Sequence, residues 1–251
     1  MTCEDAAAQV WRELKTVIDP ELDQPLTELG FIDAVEVDAD FRVRVRFKLP
    51  TYWCAANFAF MMAEDVREAV ARLRWVHGVS VELADHYSAP EINHGVAARL
   101  PFSAAFPEEA TGDLDELRRL FRAKAFLGRQ ERLLRDLIAA SYSTSELLAL
   151  SIGELRALQF KNEGSARARD QYLALREEFG DQDLLSPAFV TPAGRPLRPE
   201  AFAEHLRQLR RTSANIEFNA ALCGTLLRAR YGSAEPSPDS SKASGGGERN
   251  R

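Results

Sequence analysis

Phe41, Val43, Val45, Phe47 and Leu49 alternate without a break with Arg42, Arg44, Arg46 and Lys48. A period of two, sustained this long, fits a strand with one face buried and the other in water. That strand organises the reading of everything around it. Upstream, Phe31 to Asp38 alternates less strictly, and Asp38-Ala39-Asp40 supplies a turn, so the two segments form a hairpin. Pro50 ends the second strand. Residues 57–73 return to helical spacing through Phe58, Met61, Met62, Val66, Ala69, Val70 and Leu73. Gly78 breaks the chain, and Val79, Val81 and Leu83 predict a third strand. At the N-terminus, Ala7, Val10, Trp11, Leu14, Val17 and Ile18 predict a helix over 4–17, closed by Asp19-Pro20 because the residue before proline leaves the α region. The order helix, strand, strand, helix, strand predicts a small α+β domain over residues 1–88.

The character then changes. Residues 89–112 contain Pro90, Pro101, Pro107 and Gly112 and read as a linker. Asp113-x-x-Glu116 has a capping-box pattern and opens an all-α region over 113–231. Its helices run from Leu114 towards Tyr142, begin again at Thr144 and Ser151, and continue over 165–179 and 199–230. Residues 232–251 are rich in Ser, Pro, Gly and charge, with no apolar face to bury, and predict a disordered tail.

Charge narrows the function classes. The 251 residues carry a net charge of -6. Residues 1–100 hold 10 Lys/Arg against 17 Asp/Glu, while residues 101–251 hold 22 against 21. An acidic first part argues against nucleic acid as a partner, because phosphate contact needs surplus cations. No apolar run is long enough to span a bilayer, and the N-terminus lacks the basic and apolar regions of a secretory signal. The expected compartment is the cytoplasm. Three cysteines at wide spacings (Cys3, Cys54 and Cys223) argue against a disulfide framework and against a four-cysteine site in one chain.

Two segments could carry chemistry. Cys54 lies between a strand end and a helix start in Leu49-Pro50-Thr51-Tyr52-Trp53-Cys54. Helix N-termini favour thiolates, and thiolates bind soft metals and iron–sulfur clusters; a buried, inert thiol is the plainer alternative. Asp19-Pro20-Glu21-Leu22-Asp23 gathers three carboxylates, which read equally as a solvated loop. His77, His86, His94 and His205 have no metal-ligand spacing and read as ordinary imidazoles, although His86 and His94 flank the end of the third strand. There is no GxGxxG, Walker A, HExxH or GxSxG pattern. Ser143 to Phe160 has the outline of a helix-turn-helix without a basic recognition helix.

Val17-Ile18-Asp19-Pro20-Glu21, Leu29-Gly30-Phe31-Ile32 and Thr51-Tyr52-Trp53-Cys54 occur in order on these predicted elements. Together they resemble the signatures of the MIP18-like family, also called the domain of unknown function 59. Ala55 stands where that family usually has proline, and the loop before Cys54 is one residue shorter than its common form. The resemblance implies an α/β domain that assists iron–sulfur cluster assembly or delivery. It implies that Cys54 is the reactive or ligating cysteine, that Asp19 and Glu21 lie on a supporting loop, and that Thr51 is the threonine upstream. Residues 51–65 look closest to a branch associated with bacterial multicomponent di-iron monooxygenases.

The function expected from these readings is that of an accessory factor, not an enzyme, that handles an iron–sulfur cluster transiently for a client metalloprotein. A cluster needs about four ligands, so a homodimer bridged through Cys54 or a site shared with the client fits the count. The alternative is a metal-free scaffold or chaperone-like adaptor working through the helical region.

Overall fold

The computed structural model describes residues 2–108 and 114–232. They fall into two compact units. The first comprises residues 2–19, 24–108 and 222–232, and the second residues 20–23 and 114–221.

The first unit is built on a three-stranded sheet of order β1-β2-β3: β1 (Ile32–Val37), β2 (Arg42–Lys48) and β3 (Gly78–Ala84). β1 and β2 form the antiparallel hairpin that the alternation predicts, with Val35 opposite Val45. β2 and β3 are parallel, with Val45 opposite Val81 and Phe47 opposite Leu83. A parallel pair needs a crossover, and α2 (Ala56–Ala71) supplies it. Val43, Val45 and Phe47 are buried, while Arg42, Arg44 and Arg46 stand in solvent. Two of the arginines and the lysine are paired: Arg44 and Arg46 face Glu82, and Arg46 and Lys48 face Asp33.

Helix α1 (Cys3–Leu14) opens on a capping box between Thr2 and Asp5 and buries Ala6, Val10 and Leu14. It stops earlier than the apolar spacing predicts. Val17 O accepts from Leu26 N–H at 3.0 Å, and Ile18 bridges Pro25, so an extended pairing takes the two residues that would have lengthened the helix. Gly30 has φ +72°, a left-handed conformation that glycine adopts without steric cost.

The described part of the region read as a linker, residues 89–108, is largely helical. It contains α3 (Ala89–Ala98) and the short α4 (Phe102–Ala105). Pro90 lies in the first turn of α3, where its missing N–H costs nothing, so it opens a helix rather than breaking one. α3 buries Ile92, Gly95 and Val96. A Cβ on Gly95 would stand 2.8 Å from Ala105 Cβ and 2.9 Å from Phe60 Cε2, so a larger residue would force the packing apart. Asp113, the proposed cap, and residues 233–251, the proposed tail, lie outside the described residues.

The second unit is helical: α5 (Leu114–Ala139), α6 (Thr144–Ala149), α7 (Ile152–Ala157), α8 (Glu163–Arg176) and residues 199–221 of α9 (Pro199–Tyr231). Its core gathers Phe126, Leu133, Leu134, Leu137, Tyr172, Phe189, Phe202 and Leu209. Inside this apolar cluster Gln130 Nε2 donates to Tyr172 Oη and to Val190 O, Tyr172 Oη donates to Ala188 O, and His205 Nε2 bonds Gln130 Oε1. Buried polar atoms are tolerated when they are paired in this way. Residues 222–231 of α9 belong to the first unit.

Candidate functional site

Parallel strands release their loops at the same end, and in open α/β sheets ligands bind beyond the carboxyl ends of the strands. β2 ends at Lys48 and leads through residues 49–55 into α2; β3 ends at Ala84 and leads through residues 85–88 into α3. The first of these loops holds Thr51 and Cys54, and the second holds His86.

Cys54 is half-buried and lies immediately before Ala55, the N-cap of α2. The cap makes no side-chain hydrogen bond. Thr51 organises the turn instead. Its Oγ1 accepts from Trp53 N–H at 3.3 Å and lies 3.2 Å from Cys54 Sγ. Threonine is suited to this role because its short hydroxyl reaches backbone donors two residues on.

His86 ties the two loops together. Ser88 N–H donates to Nδ1 at 3.1 Å, so Nδ1 carries no proton and Nε2–H donates to Cys54 O at 2.7 Å. Burial holds the imidazole pKa below its ordinary value; the bond to Cys54 O works the other way, and the nearby charge of Arg230 adds to the lowering. His86 is thus a neutral donor of fixed tautomer. Tyr87 N–H adds a second link, donating to Tyr52 O at 3.0 Å.

Around the cysteine the surface is aromatic. Trp53 is 72% exposed, Tyr87 59% and Tyr52 40%. Their rings pack on one another with centroids 5.0 to 6.4 Å apart. Three large rings left in water beside a half-buried thiol form the kind of apolar patch that marks contact with another molecule.

The acidic loop is divided. Asp19 is buried in the first unit, its N–H bonded to Gln24 O at 2.9 Å. Glu21 and Asp23 belong to the second unit. Glu21 accepts from Asn219 Nδ2 at 3.1 Å and faces Lys124 at 3.9 Å. Asp23 is buried between two arginines: Arg129 Nη2 is 2.7 Å away and Arg132 Nη2 is 3.0 Å away. Among the described residues no three His, Cys, Asp or Glu side chains are grouped to hold a metal ion. Cys3 is exposed, with Sγ 4.0 Å from Asp38 O, and Cys223 is half-buried on α9. The structure therefore brings Thr51 and Cys54 together, and it adds His86, which sequence spacing alone leaves as an ordinary imidazole. His94 stands exposed on α3. The signal for His86 was its position just after the third strand, which counts only once β3 is known to lie parallel to β2.

Chemically, the site offers one soft ligand, a hydroxyl on its sulfur and a neutral imidazole on its carbonyl. A single soft ligand can contribute to metal or cluster binding but does not by itself make a site of about four ligands. Among the described residues no helix is long and apolar enough to cross a membrane.

The family model described as "Iron-sulfur cluster assembly protein" matches residues 7–83. An "Fe-S protein maturation auxiliary factor" of Porphyromonas gingivalis is 40% identical over 72 residues, covering 29% of this chain and 67% of the relative. An uncharacterized protein of Methanocaldococcus jannaschii is 33% identical over 84 residues, covering 34% of this chain and 86% of the relative. A crystal structure of a domain of unknown function 59 from Bacillus anthracis aligns with a TM-score of 0.31 and 22% identity, over 32% of this chain and 76% of that one. Through residues 7–83, which hold both β2 and Cys54, the chain belongs to the family of iron–sulfur cluster assembly proteins.

Proposed function

We propose that this protein is an auxiliary factor in the maturation of iron–sulfur proteins, and that Cys54 lends a thiolate to a cluster in transit. The family and the P. gingivalis relative support the role in maturation. The observation that carries the role of Cys54 is its setting. It is half-buried at the carboxyl ends of two parallel strands, with Thr51 Oγ1 3.2 Å from its sulfur and His86 bonded to its carbonyl.

The cluster is cargo here rather than a resident cofactor. It takes about four ligands, so the remainder come from a second copy of the chain or from the client. The client is a metalloprotein, and the resemblance of residues 51–65 points to a multicomponent di-iron monooxygenase. Thr51 holds the loop that presents the thiol, and the buried Asp19 supports the neighbouring chain reversal. The protein acts by holding and passing on, not by turnover of a substrate of its own.

Anaerobic reconstitution with ferrous iron and sulfide tests this reading. The wild-type chain is expected to gain visible absorption and bound iron, and Cys54→Ala to gain neither while keeping its fold. Equal iron in both proteins would contradict it. A second reading, a metal-free adaptor, is favoured by the exposed aromatic patch of Tyr52, Trp53 and Tyr87. It predicts a partner captured equally by wild type and Cys54→Ala.

A further inference from the structure

Arg230, near the end of α9, lies more than a hundred residues beyond the family-matched segment, yet it belongs to the same compact unit as the Cys54 loop. Its guanidinium joins the ends of both parallel strands. Nη1 donates to Leu49 O, just after β2, at 3.3 Å. Nη2 donates to Asp85 O, just after β3, at 2.7 Å, and pairs with Asp85 Oδ2 at 2.7 Å. The guanidinium carbon also stands 5.9 Å from the centroid of the Tyr52 ring, within cation–π range.

Asp85 has φ +52°, a left-handed backbone that is uncommon outside glycine. The residue at this strained turn is the one whose carbonyl and carboxylate Arg230 engages. Tyr231 reinforces the hold: its hydroxyl donates to Asp85 Oδ2 at 3.1 Å, and Lys48 Nζ lies 4.7 Å from its ring centroid. Burial, with the carboxylate of Asp85 beside it, pushes the Tyr231 phenol up to about 12, so the donor stays protonated. Gly232, at φ +75°, then ends the helix with its N–H on Arg228 O.

We propose that Arg230 is a positioning residue for the Cys54 site: it pins the loop that carries Thr51, Tyr52 and Cys54 to the loop that carries His86. The planar fork of arginine matters because one side chain must reach two strand ends at once. The consequence for cluster handling rests on the reading of Cys54 as a ligand; the consequence for the loops does not.

The test uses the full chain as wild type, Arg230→Ala and Arg230→Lys. Hydrogen exchange is followed over residues 49–56 and 85–88, the rate of iodoacetamide reaction is mapped at Cys54 with the exposed Cys3 as reference, and iron is measured after anaerobic reconstitution. In Arg230→Ala, losing charge-assisted bonds should speed exchange at Tyr87 N–H about ten- to a hundredfold. Cys54 should alkylate faster while Cys3 is unchanged, and retained iron should fall. Arg230→Lys keeps the charge without the fork and should restore part of the protection. Loop exchange and Cys54 alkylation equal to wild type in Arg230→Ala would overturn the proposal, and so would acceleration spread evenly over the chain. If both loop readouts change as stated while even the wild type binds no iron, the cluster reading falls and the positioning role stands.

Discussion

Cys54, Thr51 and His86 do different work because each side chain can do only one thing well. The thiol is the proposed soft ligand, the threonine hydroxyl satisfies the N–H of Trp53 inside the turn, and the imidazole, neutral by burial, donates to the cysteine's carbonyl. Cys54 is legible as a candidate from its place between a strand end and a helix start, and Thr51 only through the resemblance of the loop that carries both. His86 was not, because nothing local distinguishes an imidazole after a strand from any other. His205 gives a residue-scale test in the second unit. Burial holds its folded pKa below the ordinary 6.5. As pH falls, the unfolded chain therefore takes up a proton before the folded one, and its contribution to stability is whole above the unfolded value and lost below it. Urea unfolding followed from about pH 7.5 to about pH 5.5 should show this loss, with a slope of at most about 1.4 kcal/mol per pH unit from this group. His205→Gln, which keeps an N–H donor towards Gln130, should flatten that part of the profile.

Elements with a strong local code were read closely, and those set by distant pairing were not. β2 is the clearest case, since its alternation matches Val43, Val45 and Phe47 inward and Arg42, Arg44 and Arg46 outward. The parallel pairing of β2 with β3 depends on how α2 crosses the sheet, which no local pattern encodes. α1 ends early for the same kind of reason, because Val17 and Ile18 find partners in residues 25 and 26. The short helices α6 and α7 are the opposite case. Six residues are too few for a helix to be stable by itself, and each opens on a complete capping box, Ser143 with Glu146 and Ser151 with Glu154. Both glutamates are held below their usual pKa by these serines. Loss of the Ser151 N-cap in Ser151→Ala should lower the unfolding free energy by about 1 kcal/mol, measured by urea denaturation at neutral pH. A change within experimental error would mean that packing of Ile152 and Leu155 alone holds α7.

The chain as a whole departs from a simple succession of an α/β domain, a linker and a helical domain. The tetrapeptide Pro20–Asp23 belongs to the helical unit, where Asp23 is clasped by Arg129 and Arg132, and the last turns of α9 belong to the first unit. Periodicity reveals that residues 199–230 form a helix but not what its end meets, so Arg230 was invisible as part of the site. Its partners Asp85 and Leu49 are 145 and 181 positions away. With a single cysteine in the site, a cluster held there as proposed needs ligands from a second chain. Native mass spectrometry of the anaerobically reconstituted protein tests this most directly. With a second copy supplying the remaining ligands, iron and sulfide are expected on a two-chain species of the wild type and none on Cys54→Ala; the same iron and sulfide carried by single chains of Cys54→Ala would contradict the role of Cys54.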